Sequence, residues 1–183
     1  MANTGRFLAL LRGINVGGKN IIKMADLKVC FEAMGFSEVA TYIQSGNVVF
    51  SSSETNLEQL EAILEAGLSQ VFNYHSVVVV LSASQMEAIV EQAPDPFGLA
   101  PDQNKYDVVF LKPPLTADQA LPQVLARNEV DFVYAQNNVL YFSRTIANLS
   151  KSYLSKIVSL PLYKHMTIRN WNTTVQLLKL VRE

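Results

Sequence analysis

The chain has one cysteine, Cys30, two histidines and one tryptophan among its 183 residues. A lone cysteine excludes an internal disulfide and leaves a thiolate metal site without its second ligand. His75 and His165 have no ligand-spaced partner, so neither a metal nor a cofactor is expected, and both read as strand-edge residues. No apolar run approaches the roughly 20 residues that cross a bilayer. The opening Met1-Ala2-Asn3-Thr4-Gly5-Arg6 lacks the layout of a secretory leader. The expectation is a cytoplasmic protein with no membrane partner, in which the Asn-x-Ser/Thr matches at Asn148 and Asn172 carry no glycosylation meaning.

Apolar residues, by contrast, are plentiful. At 49% hydrophobic and 17% charged, the chain can build one large core or two small ones. Its net charge of −1 conceals segregation. Residues 1–25 hold Arg6, Arg12, Lys19 and Lys23 and no acid, and residues 132–183 hold seven basic residues against Glu183 alone. The fifteen acids between them face only Lys28, Lys105, Lys112 and Arg127. If the two ends meet in space, one face is basic.

Hydrophobic periodicity predicts a strand over Phe7–Leu11, then a glycine-bearing loop Gly13–Asn20. A helix follows with Met24, Leu27, Cys30, Phe31 and Met34 inward, so that Cys30 reads as core, and Gly35 stands beyond its end. Two strands, Val39–Gln44 and Asn47–Ser51, close on Ser45-Gly46. The next helix, from Asn56, turns Leu57, Leu60, Leu64, Leu68 and Val71 inward and presents Glu58, Glu61 and Glu65 as a solvated acidic row. A strand Val77–Leu81 and a helix Ala83–Gln92, capped by Ser82, end the set before the Pro-rich stretch 94–104.

The order then repeats. Strand Tyr106–Leu111, helix Thr116–Ala126, a hairpin of Val130–Ala135 and Val139–Phe142 around Gln136-Asn137-Asn138, helix Leu149–Leu160, strand His165–Arg169 and a helix from Trp171 mirror the first series. Recurrence of one order after about 90 residues is the mark of duplication. Tyr42, Gln44, Asn47 and Val48 align with Tyr134, Gln136, Asn138 and Val139. The expected fold is therefore α+β, a tandem duplication of a ferredoxin-like βαββαβ unit, each copy with an added C-terminal helix. Its boundaries are a first subdomain 1–93, a linker 94–104 and a second subdomain 105–183. Right-handed crossovers bring the Gly13–Asn20 loop and the hairpin tip Ser45-Gly46-Asn47 to one sheet edge.

Features present in only one copy are candidates for function. After the first strand, copy one has Arg12-Gly13-Ile14-Asn15-Val16-Gly17-Gly18-Lys19-Asn20 where copy two has Lys112-Pro113-Pro114-Leu115. At the last helix, copy two has Arg169-Asn170-Trp171-Asn172 where copy one has Leu81-Ser82-Ala83-Ser84. Glycines can turn backbone N–H groups toward an anion, a helix N-terminus adds its dipole, and Arg or Lys completes the charge. Gly13 to Lys19 is no Walker loop, because Asn20 stands where Ser or Thr is needed. The candidate ligand-binding set is Arg12, Asn15, Gly17, Gly18, Lys19, Gln44, Ser45, Gly46, Asn47, Arg169, Asn170 and Asn172. No catalytic set of nucleophile, base and orienting group can be assembled.

Three segments, Leu11 to Gly18, Tyr42 to Phe50 and Thr167 to Thr173, resemble the bacterial family called domain of unknown function 1697, with similarity along nearly the whole chain. The resemblance implies two ferredoxin-like halves in one chain and brings no activity, cofactor or catalytic residue. The leading functional expectation is binding of a phosphate-bearing small molecule or nucleotide at a cleft between the subdomains. RNA or single-stranded nucleic acid is the alternative partner, disfavoured by a pI of about 6.1. An enzyme with an acid/base site in the same cleft is a further alternative, and the sequence leaves the oligomeric state open.

Overall fold

Eight strands among the described residues fall into two four-stranded antiparallel sheets. The computed structural model describes residues 4–183; Met1, Ala2 and Asn3, read above for a leader, lie outside the described residues. Five α-helices accompany the sheets among the described residues, so the α+β reading holds. In chain order the elements are β1 (Gly5–Leu11), α1 (Met24–Ala33), β2 (Ser37–Tyr42), β3 (Asn47–Ser52), α2 (Leu57–Phe72), β4 (Val78–Ser82) and α3 (Ala83–Glu91). After them come β5 (Asn104–Leu111), α4 (Ala117–Ala120), β6 (Asp131–Gln136), β7 (Val139–Thr145), β8 (Met166–Asn170) and α5 (Trp171–Arg182). Two compact units emerge: Met1–Met86 with Gln176–Glu183, and Glu87–Val175. No helix is long and apolar enough to cross a membrane among the described residues.

Unit 1 holds the sheet β2-β3-β1-β4. Alternation along β1 turns Phe7, Ala9 and Leu11 to one face, where they join Val48, Phe50, Val78 and Val80. Leu27, Cys30 and Phe31 of α1 and Leu60, Leu64 and Leu68 of α2 complete that core, and Phe31, Phe36 and Phe50 meet at its centre. Cys30 is buried, and burial pushes its thiol pKa up. Asn56 caps α2 by accepting from the Gln59 N–H at 3.1 Å.

The acidic row on α2 is not a solvated face. Only Glu58 is exposed; Glu61 is 5% exposed, and its Oε1 accepts the Val80 N–H at 3.0 Å, while Glu65 Oε1 accepts the Val78 N–H at 2.8 Å. The reason lies in the sheet order. β4 pairs with β1 on one side only, which leaves alternate N–H groups pointing outward, and the two carboxylates take up the edge that would otherwise invite another strand. Val71, expected inward, is 61% exposed in the last turn of the helix.

Unit 2 holds the sheet β6-β7-β5-β8, the same order with the same strand directions. Its hairpin closes on Asn137-Asn138, both at positive φ (52° and 56°), a primed turn that matches the twist of the strands. One expected helix is cut short and another is replaced. Thr116 forms a capping box with Gln119, but the helix stops at Ala120 and continues only as a 3-10 turn over Leu121–Gln123, because Pro122 supplies no N–H for a further turn. Leu149–Leu160 is likewise no α-helix. Residues 146–165 form three 3-10 segments, with Ser152 extended between the first two and Leu160, which precedes Pro161, extended between the second and third. Serine hydroxyls compete for the backbone there: Ser152 accepts the Leu154 N–H at 3.1 Å and Ser159 donates to the Lys156 carbonyl at 2.7 Å. Leu154, Ile157 and Leu162 still reach the core of Val109, Leu111, Leu140, Phe142 and Met166.

Candidate functional site

In unit 1 the glycine loop and the hairpin tip are adjacent. Asn15 ties them: its Nδ2 donates to the Ile22 carbonyl at 2.9 Å and to the Gln44 carbonyl at 3.0 Å, and its Oδ1 accepts the Ile22 N–H at 2.8 Å. The Leu11 N–H bonds the Gly46 carbonyl at 2.8 Å. The loop itself is a small hairpin, with Asn15 N–H to Asn20 carbonyl and Lys19 N–H to Val16 carbonyl, both at 3.1 Å. Gly17 and Gly18 are its two central residues at φ 59° and 74°, so a primed turn accounts for both glycines without any ligand. Asn47 is fully buried and closes the β2–β3 hairpin by donating to the Tyr42 carbonyl at 3.1 Å and to Ser45 Oγ at 2.9 Å. Asn15 and Asn47 are thus framework residues, while Lys19 and Gln44 are exposed and Arg12 is half-buried.

The Arg169–Asn172 segment belongs to unit 2 and divides by strand alternation. Arg169 pairs with Val108 and lies on the sheet face opposite Asn170. It is 8% exposed, with its Nη1 donating to Thr167 Oγ1 and to the Ile168 carbonyl, each at 2.8 Å. Burial pulls its pKa down to about 10. Asn170 caps α5, its Oδ1 accepting the Thr173 N–H at 2.8 Å. Thr174 hydroxyl donates to the Asn170 carbonyl at 3.0 Å.

Asn170, Trp171 and Asn172 line a polar hollow of about 280 Å³ together with Lys105, Asp107 and Arg144. β5 supplies Lys105 and Asp107, β7 supplies Arg144 directly opposite Lys105, and Asp107 faces Asn170 across the β5–β8 pair. Arg144 is ion-paired to Asp107. Lys105 is exposed and has no carboxylate partner among the described residues, so the hollow carries one uncompensated cation beside the positive end of a 12-residue helix. Nothing marked Lys105 or Arg144 in the sequence: each is a single basic residue on a strand, and only the antiparallel register sets them side by side. Among the described residues no cluster of His, Cys, Asp and Glu could hold a metal ion.

These features describe an α+β protein of two antiparallel sheets with a polar, cation-bearing hollow in the second. Residues 5–141 match the family described as protein of unknown function (DUF1697), and the chain belongs to that family. The matched stretch contains Lys105 and Asp107 and ends before Arg144 and Asn170. The chain is also similar to the conserved bacterial protein SP0830 from Streptococcus pneumoniae, whose solved structure is 27% identical with a TM-score of 0.83 over 98% of this chain and 99% of that one. No curated protein matches the chain.

Proposed function

We propose that this is a cytoplasmic binding protein for a small phosphate-bearing molecule, and that the polar hollow of unit 2 receives the phosphate. The observation that carries the reading is the convergence of Lys105, Arg144, Asn170 and Asn172 on one hollow at the N-terminus of α5. A phosphate there meets one free ammonium, a guanidinium already oriented by Asp107, two amide side chains and the helix dipole. Of the sequence candidates, Asn170 and Asn172 contact the ligand directly, and Arg169 braces the strand that presents them. In the same reading Lys19 offers exposed charge on unit 1, while Arg12 is half-buried.

The two sheets are, in this proposal, copies of one ferredoxin-like unit. Support comes from their identical strand order and from matching closing bonds, Arg12 N–H to the Val77 carbonyl at 2.9 Å and Lys112 N–H to the His165 carbonyl at 2.8 Å.

Calorimetric titration with inorganic phosphate, pyrophosphate and nucleoside phosphates tests the binding. The expected outcome is an affinity that weakens about tenfold or more in Lys105→Ala and in Asn172→Ala, since a charge-assisted hydrogen bond contributes about 1.5–3 kcal/mol. Absence of binding by every anion, or equal binding by both variants, rejects the reading. A single-stranded RNA that binds with a steep salt dependence while the small anions do not would transfer the site to nucleic acid.

A further inference from the structure

We infer a second binding site in unit 2, beside the polar hollow, with which it shares Asn104 and Tyr106, and built for one neutral, planar heteroaromatic ring of the nucleobase class. It is a hollow of about 160 Å³ lined by Phe97, Tyr106, Phe132, Tyr134, Asn104 and Ser143. The register explains how these meet. Tyr106 on β5 and Phe132 on β6 both lie opposite Ser143 on β7, and Tyr134 stands two residues along from Phe132, so all four project from one face of the sheet. Asp107 and Arg144 project from the other face.

Shape and chemistry select the occupant. A cavity of about 150 Å³ takes a benzene ring, so this hollow has room for a single ring system rather than an extended chain. Its walls are aromatic and its rim is open: Phe132, on the terminal strand β6, is 46% exposed. Phe97 is held by edge-on contacts to three rings, with centroids 4.9 Å from Tyr106 and 5.1 Å from both Tyr141 and Trp171, so that wall is fixed before any ligand arrives. No charged side chain lines the hollow, which disfavours an ionic ligand. Asn104, Ser143 and the Tyr134 hydroxyl supply hydrogen-bonding groups that a plain hydrocarbon would leave unused. A stacked ring with donors and acceptors on its edge satisfies both halves of that lining.

Adenosine, guanosine, cytidine and uridine carry no phosphate and therefore probe this site independently of the polar hollow. Nuclear magnetic resonance titration of the full chain with each nucleoside should shift the amides of residues 132, 134 and 143 for at least one of them. Phe132→Ala should weaken that nucleoside about tenfold or more, because stacking on an aromatic side chain is lost. Tyr134→Phe, which keeps the ring and removes one hydroxyl, should fold as the native chain does and weaken binding severalfold, so a folding defect in Phe132→Ala does not decide the matter. The inference falls if no nucleoside shifts these amides at millimolar concentration, or if both variants bind as the native chain does. Inorganic phosphate, titrated separately, reports the polar hollow, so either site can fail while the other stands.

Discussion

After the hairpin of each sheet the two units do the same job with different material. Unit 1 places a 16-residue α-helix over its sheet, and unit 2 places three 3-10 segments between Ile146 and His165. α2 is rich in Leu, Glu, Ala and Gln, repeats its apolar residues every fourth position at Leu60, Leu64 and Leu68, and carries a cap. The corresponding stretch of unit 2 carries Ser150, Ser152, Ser155, Ser159 and Pro161. Both bury leucines on the sheet. The difference shows where each unit finds hydrogen-bond partners for backbone that no regular element satisfies. In unit 1 two glutamates of α2 serve the edge of β4; in unit 2 one carboxylate, Asp131, serves two loops, its Oδ2 accepting the Arg127 N–H at 2.9 Å and the Tyr153 N–H at 2.8 Å.

The sharpest test of that contrast is Asp131→Ala. Asp131 is 5% exposed, and its removal strands two backbone donors that join the irregular segment to the start of β6, so the loss should be about 3 kcal/mol, measured as a fall in the urea midpoint. Asp131→Asn, which keeps an acceptor oxygen, should lose less than half as much. Next in size is Gly98→Ala. A methyl there would stand 2.6 Å from Trp171 Nε1 on a backbone at φ 82°, and about 2 kcal/mol of overpacking and strain is expected, with a change in tryptophan fluorescence as the indole is displaced. If fluorescence and midpoint both stay unchanged, the close approach of Gly98 to the α5 entry has no energetic weight.

In unit 1 the matching experiment compares two glutamates on one helix. Glu61→Ala should cost about 1.5 kcal/mol because it leaves the Val80 N–H at a buried edge without that acceptor, whereas Glu58→Ala should stay within about 0.5 kcal/mol. Equal effects would return the acidic row to a simple surface face. The smallest effect is alkaline. Burial raises the pKa of Tyr74 in unit 1 and of Tyr141 in unit 2 above the ordinary value. The folded state therefore holds these protons where the unfolded chain releases them, so stability is intact below about pH 10 and declines as pH rises beyond it. Phenolate absorbance should show these two tyrosines titrating above the ordinary tyrosine range, and early titration of either would contradict its burial.

Much of this was legible before any coordinates. Apolar runs gave the strands, helical spacing of apolar residues gave α1 and α2, and the succession of strands repeated visibly. Ser82 was readable as a cap from type and position, and its Oγ accepts the Gln85 N–H at 3.2 Å; Trp171 marked the start of α5. The residues of the glycine loop were readable as a turn, but not Asn15 as the bolt holding it, since an asparagine with three backbone partners looks no different in sequence from one facing a ligand.

What the sequence alone determined, then, was periodicity: which segments are strands, that α1 and α2 are helices, and that one succession of strands occurs twice. Short-range competition in a serine-rich stretch was beyond it, because hydroxyls and a proline shift the balance by amounts smaller than the gain from burying Leu154 and Ile157. Tertiary structure decided everything that depends on register. Only pairing across strands sets Lys105 opposite Arg144 and brings Phe132 over Ser143, and only the packing of α2 against β4 aims Glu61 at Val80, for each of these contacts joins residues whose neighbours in the chain say nothing about one another.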